Sequence, residues 1–294
     1  MPRARAVPPA LQGRPVPRDQ ALEHVTRGAL EGPAYRRVTR GVWAPADLPA
    51  DHGTRLAAVR LALGPDAVLT GASAAWALGS RLAGAEDPAE CALATRHVRN
   101  RPELVVRRET VGPSDRTDHP RFGLITSPAR TVVDLARRGS GVEAVVAVDS
   151  LLQACAISAS EVARAVDRLR GARGVRAVQQ VLDLADRGSE SPQETRLRLL
   201  LRHAGLPHPR TQHVVCTTDG AFVARVDLAW PLLRVAVEYD GAHHDSPEQI
   251  RRDRDRLNRL RLVGWTVLVV DRHQMRAPSA VVAMVGAALR DAQG

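Results

Sequence analysis

The chain has 294 residues, 44% hydrophobic and 25% charged, enough for two or three modules with cores of their own; its longest apolar runs, such as VEAVVAV, fall well short of the ~20 residues of a membrane span. The 42 basic residues outnumber the 32 acidic ones to give a formal charge of +10, and all 42 are arginine, which excludes any mechanism that needs a lysine. Cys91, Cys155 and Cys216 show no paired spacing suited to zinc and are expected to be buried thiols in a reducing compartment.

The opening stretch MPRARAVPPALQGRPVPR lacks the apolar centre of a secretion signal, so a cytoplasmic location is expected. Residues 19–47 read as one short helix, DQALEHVTRGAL, then a small β-wing, YRRVTRGVWAP, in which Tyr35, Val38, Val42 and Trp43 alternate. Arg36, Arg37 and Arg40 concentrate on this wing, where they either meet DNA phosphates or form a solvated basic hairpin. The charge excess is spread along the chain: +4 before residue 49, +3 from 49 to 187 and +3 beyond.

Residues 49–187 read as mainly helical, with periods at 54–63 and 72–83, strands near 103–109 and 122–126, and helices from Pro128 onward behind a Ser127 N-cap. His52, His97 and His119 stand alone here and are expected at the surface, so the segment is a scaffold or interaction module without a catalytic constellation. The polar joint DRGSES at 186–191 opens the last module. Ser191-Pro192-Gln193-Glu194 starts a helix running to about His203. Strands are expected at 210–216, 222–230 and 233–240. A second helix, carrying RRDRDRLNRLRL, starts at Ser246-Pro247-Glu248-Gln249, and a strand from Trp265 to Asp271 precedes a final helix. The whole is mixed α/β in three parts: a winged-helix-like segment at 1–48, a mainly helical domain at 49–187, and an αβββαβα domain at 188–294. In the last, an antiparallel meander is joined by a strand after a helical crossover.

The stretch RVDLAWPLLRVAVEYDGAHH concentrates chemistry in that last sheet. Strand alternation puts Ala236, Glu238 and Asp240 on one face, and Asp227 on the preceding strand can share it if the register allows. Clustered carboxylates are costly unless a cation or hydrogen bonds compensate them. A hard divalent ion, Mg2+ or Mn2+, with Asp227, Glu238 and Asp240 as ligands, would do so and could polarise a phosphodiester. His243 and His244 are positioned to handle a proton or a phosphate. Other readings stay open: Glu194 in a capping box with Ser191, and Glu238 on a solvated sheet face.

Glu194, Asp227, VEYDGAHH and RDRDRLNRLRLVGWTVLVV together resemble the PD-(D/E)XK nuclease superfamily, specifically bacterial domains related to very-short-patch mismatch repair endonucleases, over roughly residues 188–280. The resemblance implies a restriction-endonuclease-like fold. Asp227 would be the principal metal ligand, completed by Glu238 and Asp240, with Glu194 acting through metal-bound water and His244 in proton transfer or phosphate binding. Gln212 would occupy a common polar position, and Asp253 with Arg256 would form an orienting pair. The usual lysine two residues after the second acid is replaced by Asp240. The stretches RRVTRGVWAP, LTGASAAWALG and LITSPARTVVDLAR in the first 187 residues resemble the N-terminal region of abortive-infection antitoxins, which implies a winged helix-turn-helix, a helical domain, and DNA or a toxin protein as partner.

Two functions are therefore expected: a metal-dependent DNA endonuclease held on DNA by the wing arginines, or a non-catalytic DNA-binding regulator or antitoxin whose nuclease-like domain only binds. Catalytic candidates are Glu194, Asp227, Glu238, Asp240 and His244; nucleic-acid contacts are Arg36, Arg37, Arg40 and His243. A membrane partner is not expected, and oligomeric state is left open.

Overall fold

The computed structural model describes residues 6–80, 82–241 and 247–294. Backbone proximity divides the chain into two compact units, Met1–Ser140 with Ala154–Gln180, and Gly141–Gln153 with Val181–Gly294.

The first unit opens with β1 (Val16–Pro17), α1 (Arg18–Leu22), α2 (Arg27–Leu30), β2 (Tyr35–Thr39) and β3 (Val42–Pro45). The stretch read as one helix is two, because the Thr26 hydroxyl accepts from Ala29 N–H and caps a new start. The expected hairpin forms, with Gly41 at φ +81° in its turn and β1 added to give a sheet ordered β1-β3-β2. A register shift between Arg37 and Thr39 breaks the alternation that the sequence suggested, leaving Val38 only half-buried. Leu11, Val16, Ala21, Leu30 and Tyr35 form a small core beneath it.

Next come α3 (His52–Leu63), β4 (Val68–Leu69), α4 (Gly71–Ala77), β5 (Ala89–Ala92), β6 (Leu104–Arg107), β7 (Arg116–His119), β8 (Gly123–Thr126) and α5 (Pro128–Arg138). Helix is the larger part of the regular structure from 49 to 187, as expected, but the segment also holds a five-stranded mixed sheet ordered β6-β5-β4-β8-β7. Two of its strands, β6 and β8, fall where strands are expected near 103–109 and 122–126; β4, β5 and β7, two or four residues long and one of them the Ala-rich AECA, show no alternation that reveals a strand. Leu56, Val59 and Leu63 of α3 and Trp76 of α4 pack on the sheet with Leu69, Cys91, Leu104 and Ile125. His52, expected at the surface, is buried: its Nε2 lies 3.1 Å from Ser73 Oγ and its ring tilts against Trp76. The thiols differ as well; Cys91 is buried, Cys155 partly so, and Cys216 exposed.

After α6 (Gly141–Ala154), α7 (Ala159–Arg168) and α8 (Val178–Leu184), the second unit continues with α9 (Pro192–His203), β9 (Arg210–Cys216), β10 (Phe222–Trp230), β11 (Val235–Asp240), α10 (Pro247–Leu262), β12 (Thr266–Asp271) and α11 (Pro278–Asp291). The sheet order is β12-β11-β10-β9, antiparallel through β9, β10 and β11, with β12 parallel to β11. One face carries Leu228, Trp230, Val235 and Val237 against Leu197 and Leu201 of α9 and Val281, Val285 and Leu289 of α11. The other carries Ala229 and Ala236 against Leu260 of α10 and Trp265.

Linker composition suggested a break near residue 187, but residues 141–153 of α6 belong with the later chain. The tie is polar and buried: Arg198 of α9 donates to Asp149 of α6 at 2.6 Å, and Asp149 also accepts from Thr195 Oγ1 and Asp186 N–H. Both partners of the ion pair are at most 1% exposed.

A candidate carboxylate site at one end of the second sheet

Ser191 caps α9 by accepting from Glu194 N–H at 3.2 Å, and Pro192 supplies the fixed φ of its first turn. The Glu194 carboxylate does not return to the Ser191 N–H as a capping box requires; its Oε2 accepts from Glu190 N–H at 2.9 Å. That same oxygen accepts from Gln212 Nε2 at 3.0 Å, and Gln212 Nε2 also reaches Asp227 Oδ1 at 3.3 Å. One amide thus joins a carboxylate of α9 to one of β10.

Gln212 does this from an unusual backbone. Its φ of +47° is in the left-handed region, uncommon for a non-glycine residue and worth about 1–3 kcal/mol of strain. Surrounding structure must hold it there.

The β10–β11 ladder explains how Asp227 and Glu238 meet. Pairing runs Trp230 with Val235, Ala229 with Ala236 and Leu228 with Val237, so the next step brings Asp227 beside Glu238. There the Asp227 Oδ2 takes the Tyr239 N–H at 2.9 Å, and a side chain replaces the ladder. Both acids line a cleft of about 280 Å³ with Tyr239, Asp240, Asp253 and Arg256.

The charges in this cleft are unequal. Both oxygens of buried Glu238 accept from Arg256 of α10, one at 2.8 Å, and Asp253 lies 3.8 Å from the same guanidinium. The sequence-expected orienting pair, Asp253 with Arg256, is present, yet Arg256 chiefly serves Glu238. Burial pushes the Glu238 carboxyl above its ordinary range; Arg256 pulls it down, and the Asp227 charge adds to the rise. Glu194 is also raised, first by burial, with Asp227 adding and the Glu190 N–H opposing.

Not every expected participant is in this group. Asp240 is exposed at the cleft edge, in register with Asp271 of β12. His243 and His244 lie outside the described residues. Among the described residues, no three His, Cys, Asp or Glu side chains gather as ligands of one ion, so the Asp227, Glu238 and Asp240 set is not assembled as such. Asp227 with Glu238 still offers the one or two carboxylates that a magnesium site commonly takes from protein, with the Arg256 cation competing for Glu238.

The wing arginines divide similarly. Arg36, expected to meet DNA, is half-buried and donates to the carbonyls of Leu48 and Pro49 at 3.0 and 2.9 Å, so it fastens its own chain. Arg37 and Arg40 are exposed. In the first unit, the stretch LITSPARTVVDLAR is β8 and α5, and its Arg130 is buried in ion pairs with Glu109, Asp115 and Asp134. That arginine is structural.

Residues 67–184 match the family described as the AbiEi antitoxin C-terminal domain. Two curated proteins of Mycobacterium tuberculosis, from the CDC 1551 / Oshkosh and ATCC 25618 / H37Rv strains and both described as uncharacterized, are each 37% identical to the chain over 151 residues. The match takes in 50% of this chain and 55% of theirs, so the chain spans about half the length of these relatives. No solved structure matches it.

Proposed function

We propose that the chain is an antitoxin-like DNA-binding regulator, with a toxin protein as a further partner. The observation that carries this reading is the antitoxin-domain match over residues 67–184, which contains the whole five-stranded sheet. A positive charge of +10 and exposed arginines suit a polyanion. The test is a DNA titration at several salt concentrations: log K should fall linearly with log salt and binding should persist in chelator. Binding without salt dependence, or none at low salt, overturns the reading.

A second reading is favoured by one specific observation, the meeting of Asp227 and Glu238 in a cleft beside Glu194. In it the second unit is a metal-dependent DNA endonuclease. Asp227 and Glu238 would hold a divalent ion, which supplies Lewis-acid polarisation of a phosphodiester when bound. Gln212 would orient Glu194 and Asp227, and Arg256 would set the charge of Glu238. Plasmid incubated with magnesium or manganese should be nicked, and Asp227→Ala and Glu238→Ala should each abolish nicking. Equal residual activity in wild type and variants removes this reading and leaves the regulator.

A further inference from the structure

We infer that the outward stripe of α10, Arg251, Arg254 and Arg261, is a docking surface for the phosphate backbone of duplex DNA, a more specific claim that rests on the DNA-binding reading above.

The run RRDRDRLNRLRL looks evenly mixed in sequence, but the helix sorts it. Asp253, Arg256, Leu257 and Leu260 fall at i, i+3, i+4 and i+7 and turn inward, the first three to the cleft and Leu260 into the core. Arg251, Arg254, Asn258 and Arg261 follow one another at spacings of three, four and three, all exposed. This stripe contains three cations and one amide, and exposed Asp255, four residues after Arg251 and three before Asn258, borders it. Arg256, whose charge could have joined the surface, is turned inward onto Glu238.

The three arginines also differ in use from many others in the chain. Arg130, Arg137, Arg138, Arg196, Arg198 and Arg225 are engaged with carboxylates. Arg251, Arg254 and Arg261 enter no ion pair among the described residues. The stripe advances about 15 Å along the helix axis at 1.5 Å per residue, or roughly four nucleotides at 3.4 Å each. Guanidinium groups bind phosphate oxygens through two parallel N–H donors, which suits them to this backbone.

Its place gives the stripe a consequence for the cleft. Arg254 is one helical turn from Leu257, which lines the cleft wall. Because the stripe faces outward while Asp253, Arg256 and Leu257 face the cleft, phosphates held by it are kept on a different side of α10 from Asp227 and Glu238.

The test is duplex DNA binding by the full-length chain, comparing wild type with an Arg251→Ala/Arg254→Ala/Arg261→Ala variant and an Arg37→Ala/Arg40→Ala variant, with circular dichroism as a check on folding. The α10 variant should bind at least about tenfold more weakly, with a salt slope shallower by about 0.9 per lost contact. If wild type binds DNA and the α10 variant matches it in affinity and slope, the inference fails while the DNA-binding reading stands. If wild type does not bind, both fail. If a polyglutamate peptide displaces DNA at equal charge concentration and the α10 variant loses the peptide but keeps the DNA, the stripe belongs to an acidic protein and the inference is overturned. An α10 variant that has lost its helical signal is replaced by Arg254→Gln and Arg261→Gln singly, each expected to lower the slope by about one.

Discussion

Gln212 shows how much a single side chain can organise: from a backbone that is unfavourable for it, it supplies the donor shared by Glu194 and Asp227. Glu194 itself gives a pH signature. Below the ordinary glutamate range, folded and unfolded chains both carry its proton. Between that range and the raised native value, only the folded chain does, so stability falls as pH rises through this window and stays lower above it. Glu194→Gln should therefore be more stable than wild type at pH 7, with the difference shrinking toward pH ~4; urea midpoints at the two pH values check this. The cysteines give a second signature. Burial pushes the Cys91 thiol up to about 12, while Cys216 is exposed. In native protein, Ellman's reagent should titrate Cys216 rapidly and reach Cys91 only after unfolding.

Among the elements, the α6–α9 contact is where one substitution should matter most for stability. Arg198→Met leaves Asp149 as a buried charge without its cation and is expected to cost roughly 3–5 kcal/mol by chemical denaturation. Adding Asp149→Leu should recover part of that loss, since the Thr195 and Asp186 donors then lose their acceptor. Legibility in the sequence also varied by element. The order α9 through α11 could be read because its strands run six to nine residues with β-branched alternation and α9 carries a Ser-Pro start. Of the five-stranded sheet only β6 and β8 were legible, near 103–109 and 122–126; β4, β5 and β7, of two and four residues, are too short to show a period. At the cleft, alternation puts Glu238 and Asp240 on one side of β11 and both line the cleft, but whether Asp227 meets Glu238 depends on a hairpin register that the sequence leaves open and the ladder fixes. The bond from Arg256 to Glu238 was not legible: helical spacing links Arg256 to Asp253, and only the packing of α10 on the sheet brings it to an acid 18 residues earlier.

For the whole molecule, the second unit is discontinuous in sequence, and that has a direct experimental form. A fragment of residues 188–294 lacks α6 and leaves Arg198 buried without Asp149. It should melt without a cooperative transition, whereas a fragment of residues 141–294 should show one; near-ultraviolet circular dichroism on heating distinguishes them. Synthesis on the ribosome meets the same division in time. Asp149 precedes Arg198 by 49 residues. At about 5–20 residues per second, α6 leaves the ribosome roughly 2–10 seconds before the helix that neutralises it. Until then its acidic side chain remains in water, and the second unit can close only after α9 has emerged.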